Sequence, residues 1–229
     1  MAAIVWDGIS MAKLLLELGA SPNKPAEHMV PFADSDVVMM PGERALHIAA
    51  KRGNVEIVRL LLRRADADPN ATDKTGGTPL MAACTCQDNY VAVVRLLLEA
   101  GADPALTEQD GLTAMHLVAQ HGGHRDLVDM LYTGAPTTLN SYSSVEGETP
   151  LFLACAKGHE RMVSRLLSLG AMQENICKLC LLSGATIKGF TGVVRLLLDE
   201  GLGVVGGPEV LPTAVYTAPT AGPKSSSCC

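Results

Sequence analysis

Four positions that can open a helix, Arg44, Thr78, Thr113 and Thr149, recur at intervals of 34, 35 and 36 residues, and each begins the same pattern. In 147–171, GETPLFLACAKGHERMVSRLLSLGA, Thr149 reads as an N-cap and Pro150 as the first helical residue. The threonine hydroxyl can accept an orphan backbone N–H, and proline gives up only an N–H that the first turn does not use. Leu151, Ala154 and Cys155 fall on one face of a first helix that stops at Gly158. Met162, Val163, Leu166 and Leu167 make the buried stripe of a second helix; Arg161, Ser164 and Arg165 form its wet side, and Gly170 ends it. Isolated helices below about 12 residues are marginal in water. Such units are stable only when stacked on copies of themselves, and a period of this size is that of a helical solenoid.

The copies read GERALHIAAKRGNVEIVRLLLRRADADPN (42–70), GGTPLMAACTCQDNYVAVVRLLLEAGADP (76–104), GLTAMHLVAQHGGHRDLVDMLYTGA (111–135) and the segment above. Their shared pattern of Gly-x-Thr-Pro-Leu-His, two alanines, a Gly-His turn, a Val-Val-x-Leu-Leu-Leu stripe and Gly-Ala-Asp resembles that of the ankyrin-repeat family. The resemblance runs from about residue 4 to 202. It implies an all-α-dominated α-solenoid of stacked helix-turn-helix units with β-turn or hairpin fingers.

On this reading the solenoid occupies 1–202: a half repeat at 3–23, a long loop at 24–41, repeats at about 42–73, 74–107, 108–140 and 141–174, and a degenerate cap at 175–202. Ile4, Val5 and Trp6 are candidates to cover or create an apolar patch where an upstream repeat is missing. Either the N-terminus is a shortened cap or the chain is truncated relative to a longer parent. The loop's prolines and Asp34-Ser35-Asp36 keep it out of regular structure, although 37–40 could lie along the stack. Arg44 replaces the family's threonine, so the first full repeat is expected to lose its cap, at about 1 kcal/mol. In the cap a first helix is expected from Ile176 to Leu182 and a second over Val193 to Leu198. Residues 203–229 have the Gly, Pro, Ser and Thr content of a disordered tail.

Composition removes several function classes. A formal charge of −6 argues against nucleic acid, which requires a clustered basic face. No run reaches the length of a membrane span. Seven cysteines, an odd number at irregular spacing without an export signal, fit free thiols in a reducing compartment, so an intracellular, cytoplasmic or nuclear, monomer is expected. Cys177 and Cys180 form a lone CxxC without two further ligands, and no phosphate loop or nucleophile elbow is present, so no catalytic, cofactor or metal site is expected. The resemblance gives His47 and His116 a structural role, hydrogen-bonding the neighbouring finger, and puts His124 and His159 in the Gly-His turn. It also puts Cys84 and Cys155 where a small buried residue belongs. His28 and His121 have no such slot and are expected to be exposed.

The remaining candidate site is the surface. In the family, finger tips and the exposed face of each first helix form a concave groove for other proteins. Carried over, these positions are Pro41, Glu43, Lys51 and Arg52; Lys74, Thr75, Gly77, Thr85 and Cys86; Gln109, Asp110, Leu112, Gln120 and His121; Val145, Glu146, Glu148, Ala156 and Lys157. Their charge is graded, basic at Lys51, Arg52 and Lys74 and acidic at Asp110, Glu146 and Glu148, which suits a partner graded the opposite way. Asn70 and Asn23 sit in a context like that hydroxylated in some ankyrin proteins, or are turn asparagines chosen for their tolerance of left-handed backbone. Cys228 and Cys229 resemble lipidated chain ends, although Ser226 stands where a prenylated cysteine would be. The reading is therefore a non-catalytic protein-binding adaptor, scaffold or regulatory subunit. Its rivals are a regulatory fragment of a larger enzyme or channel, a lipid-anchored adaptor, and an enzyme or metal module using the CxxC and the scattered histidines.

Overall fold

The computed structural model describes residues 14, 17–25, 30–31, 38–39, 41–64, 66–85, 90–122, 125–144, 147–171 and 178–201. Ile4, Val5, Trp6, His28, Cys86, His124, Val145, Glu146, Ile176, Cys177, Cys228 and Cys229 lie outside them. Helices alternate as first and second members of a pair: α1 (Ala45–Lys51) with α2 (Val55–Leu62), α3 (Pro79–Cys84) with α4 (Tyr90–Glu99), α5 (Ala114–His121) with α6 (Arg125–Gly134), α7 (Pro150–Lys157) with α8 (Glu160–Ser168), and α9 (Lys178–Ile187) with α10 (Thr191–Asp199). First helices stack on first helices and second on second, so the pairs form two layers with the core between them. A 3-10 turn, Pro136–Asn140, joins α6 to the third inter-repeat finger.

The local chemistry places these ends. Thr78 Oγ1 accepts from Met81 N–H at 3.3 Å, and Thr149 Oγ1 from Phe152 N–H at 3.2 Å. Gly158 ends α7 at φ +79°, a conformation that costs glycine little. Each second helix then buries one stripe, such as Val93, Val94 and Leu97 on α4 or Met162, Val163 and Leu166 on α8. Cys84 and Cys155 are free and buried in the first-helix layer, and burial pushes both thiols up to about 12.

Two expectations are corrected. The stretch 24–41 is not wholly irregular: β1 (Val30–Pro31) pairs antiparallel with β2 (Val38–Met39), Val30 opposite Met39. Two-residue strands tolerate proline because they have only one partner. The first helix of the cap does not stop at Leu182 but continues to Ile187, because Ala185 is buried and the left-handed terminus is supplied only at Gly189, φ +76°. As expected, Arg44 gives α1 no side-chain cap, because a guanidinium has no acceptor. His47 Nδ1 accepts the Arg44 backbone N–H at 3.2 Å, while the Arg44 guanidinium donates to the carbonyls of Asn23 (3.2 Å) and Thr72 (3.0 Å), tying two inter-repeat loops together.

Candidate functional site

The fingers are held in register by their own backbones. Within a finger the chain reverses, Asp73 N–H donating to the Gly77 carbonyl, Glu108 to Leu112 and Ser143 to Glu148. Between fingers, Lys74 N–H donates to the Pro41 carbonyl (3.3 Å), Gln109 N–H to Thr75 (2.8 Å) and Ser144 N–H to Asp110 (2.8 Å). Gly42 and Gly111 make this approach possible: both have positive φ, and a Cβ there would stand 2.6 Å from Lys74 N and 2.5 Å from Ser144 N. The Gln109 Nε2 adds a bond to the Lys74 carbonyl at 2.8 Å. Pro41, Lys74, Thr75, Gln109 and Asp110 thus form one continuous edge with fixed spacing.

Histidines bolt this edge to the first helices. Because Nδ1 of His47 accepts the Arg44 N–H, its Nε2 carries the proton and donates to the Gly77 carbonyl at 3.1 Å. His116 repeats the arrangement: Nδ1 accepts from Thr113 N–H, and Nε2–H is shared between the carbonyls of Ser141 (3.1 Å) and Glu148 (3.2 Å). Burial is the main cause that lowers the pKa of both below the ordinary 6.5, and the accepting carbonyls oppose it. Met81 takes this slot in α3 and is simply buried. His159 donates from Nε2 to the Gln120 carbonyl at 3.0 Å; His121 is exposed and donates from Nδ1 to Leu117. His47, His116 and His159 are therefore fasteners in the stack, whereas His121 bonds only within its own helix.

A second row lies at the C-terminal ends of the first helices: Lys51 and Arg52 on α1, Thr85 on α3, Gln120 and His121 on α5, Ala156 and Lys157 on α7. The structure leaves Lys74, Thr75, Thr85, Gln109, Asp110, His121 and Lys157 exposed, and Pro41, Lys51, Arg52, Gln120, Glu148 and Ala156 partly so. Leu112 is partly buried against the core, and Gly77 is buried under Asp73, whose Oδ1 accepts from Gly77 N–H. Glu43 departs from expectation. It is only 3% exposed and is paired with Lys51 Nζ at 3.4 Å, so it supports that lysine from beneath instead of presenting its own carboxylate. The charge gradient is corrected too: it holds at the finger tips, from Lys74 to Asp110, but the helix-end row is basic again at Lys157, joined there by Lys188, whose Nζ donates to the Ala156 carbonyl at 2.8 Å. Sequence reading missed Lys188 because its partner lies 32 residues away.

The two asparagines hold loops. Asn70 Nδ2 donates to Gly101 O (3.0 Å) and its Oδ1 accepts from Asp103 N–H (2.8 Å), bridging to the next repeat; Asn23 Nδ2 donates to Asp66 O in the same manner. Among the described residues there is no group of His, Cys, Asp or Glu arranged to hold a metal, and no helix is long and apolar enough to cross a membrane.

A family model described as ankyrin repeats (3 copies) matches residues 1–108, 46–141, 88–176 and 115–205. The chain is similar to the ANK repeat-containing protein nipk-1 of Caenorhabditis elegans, 29% identical over 74% of this chain and 30% of that protein. It is also similar to the E3 ubiquitin-protein ligase KEG of Arabidopsis thaliana, 32% over 58% and 8%, and to the human transient receptor potential cation channel subfamily A member 1, 28% over 77% and 15%. The chain therefore spans a third or less of each of these relatives.

Proposed function

This chain belongs to the ankyrin-repeat family, and from that premise we propose that it is a non-catalytic adaptor, scaffold or regulatory subunit that binds a partner protein across its fingers and first-helix ends. Ankyrin repeats are a protein–protein interaction module. The observation that carries the reading is the finger-to-finger ladder from Pro41 through Thr75 and Asp110, which fixes exposed side chains in register before any partner arrives. Pre-organisation of this kind lowers the ordering cost of association. Lys51, Arg52, Lys74, Thr75 and Gln109 form the basic and polar N-terminal part of the face, and Asp110, Glu148 and Lys157 the mixed remainder. The partner is a different protein, and the chain itself acts as an intracellular monomer. Charge reversal of the exposed Lys74 and Lys157 together tests the face: binding to a partner purified from the source cell weakens at least tenfold while thermal unfolding is kept, and unchanged binding rejects it.

A second reading is favoured by the small shares of the ligase and the channel that this chain matches. In it the repeats are the recognition arm of a larger protein. An antibody against 42–171 decides on denatured cell extracts: a band far above 24 kDa supports this arm, and a band at 24 kDa supports the free adaptor.

A further inference from the structure

On the layer of second helices, away from the fingers, a cleft of about 1030 Å³ runs from the turn before α6 across α8 to Leu196 of α10. Its charged lining is Arg125, Arg161 and Arg165 against one carboxylate, Glu160, a local excess of positive charge in a chain whose formal charge is −6. The internal partners do not consume this excess equally. Arg165 is half-buried and committed: its Nε donates to Asp129 Oδ1 at 2.6 Å and its Nη1 to Ser168 Oγ at 3.3 Å. Asp129, held by Arg165, offers Arg125 only a loose contact at 3.9 Å. Glu160 is turned toward α10, where a Cβ on Gly192 would overlap its carboxylate. Gly192 lies in the first turn of α10, whose positive end favours an anion.

Arg125 and Arg161 are left at the cleft's mouth. Both are exposed, and Arg161 has no partner among the described residues. Both also sit in the first turn of their helices, where a cation faces the like-signed end of the helix dipole. A carboxylate placed against each would relieve that repulsion and take its guanidinium fork bidentately.

We propose that this cleft docks an acidic peptide segment of a partner protein, with Arg125 and Arg161 each receiving one carboxylate. Adjacent helices pack about 8–10 Å apart, and an extended peptide advances about 3.3 Å per residue. The two carboxylates are therefore spaced about three residues apart in the bound segment. The two arginines belong to the layer of second helices and not to the fingers.

The test is an array of decapeptides in a Gly-Ser-Leu background carrying glutamate pairs at every spacing from one to five residues, with lysine and phosphoserine counterparts, probed with the full chain. The signal is expected to peak at a spacing of three. By fluorescence anisotropy the best glutamate peptide loses affinity at least fivefold with R125E or R161E and on raising the salt, but not with R63E, the same charge change at an exposed position outside the cleft. Melting curves confirm that these surface variants remain folded, and R161Q replaces any that does not. Absence of binding by every acidic peptide, no preference for a spacing, equal binding of lysine peptides, or equal loss with R63E overturns the proposal. A tenfold preference for phosphoserine over glutamate also overturns it, assigning the cleft to phosphate.

Discussion

The ring of His159 lies against Gly122 of the preceding repeat so closely that a Cβ on that glycine would stand 2.6 Å from Cε1 and Nδ1. Phe190 takes the same station against Gly158, where a Cβ would meet Cδ1 at 2.7 Å. The turn glycine of a repeat thus has two duties. It ends the first helix at positive φ, and it leaves room for the ring with which the next repeat begins its second helix.

Gly170, after the second helix α8, has only the conformational duty: φ is +85° and nothing lies within 4 Å of a Cβ built there. Gly170→Ala should cost about 1–2 kcal/mol, the left-handed penalty alone. Gly158→Ala should cost distinctly more in urea unfolding, because Phe190 must also move. Equal losses would show that the ring contact contributes nothing to coupling between repeats.

Leu97 and Leu166 are fully buried on α4 and α8. Truncating either to Ala should remove about 2–5 kcal/mol, from a total on the order of 5–15 kcal/mol. Because each repeat supplies its neighbours' core, the loss should appear as one shifted transition with an unchanged denaturant slope. A loss below about 1 kcal/mol would mean that these side chains are not between packed layers.

His47 and His116 make stability depend on pH with a defined sign. Their folded pKa values lie below 6.5, so in acid the unfolded chain takes up protons before the native one does. Their contribution is complete above pH 6.5 and is lost as pH falls below it toward their folded values. A His47→Gln, His116→Gln double variant should be less stable at pH 7.5 but flatter between pH 7 and 5. An unchanged slope would contradict the burial of neutral imidazoles.

Glu108 runs the other way. Burial first, then the neighbouring Asp110 and Asp73, raises its carboxyl above the usual value of 4.5. The folded chain therefore holds that proton more tightly, and stability is lost as pH rises through the folded pKa. Glu108→Gln should raise the melting temperature at pH 7 and leave it almost unchanged at pH 4. A lower melting temperature at pH 7 would reveal a carboxylate bond that matters more than the repulsion.

What the sequence made legible was whatever is decided within one repeat. Thr78 and Thr149 cap helices three residues on, and Gly158 ends one, so residue type and spacing suffice. Contacts between repeats, apart from those of His47 and His116 that the family resemblance implied, left no such signal. The bonds from Arg44 to Thr72 and from Lys188 to Ala156 join residues 28 and 32 apart, where no local periodicity applies. Glu43 was misread for a related reason: its slot is the base of a finger tip, but the pairing with Lys51 draws it under the surface. In the loop of 24–41, proline content outweighed the pairing of Val30 with Met39, because two-residue strands have no pattern of their own to read.

Site-specific photo-crosslinking in the source cell tests the binding face most directly. A crosslinking residue placed at Lys74, Gln109 or Lys157 samples the fingers and first-helix ends, and one at Arg63 or Glu99 samples exposed second-helix positions outside the arginine cleft. The account predicts one discrete protein adduct shared by the first three positions and absent from the last two. Adducts of equal yield at all five, or confined to Arg63 and Glu99, would contradict it.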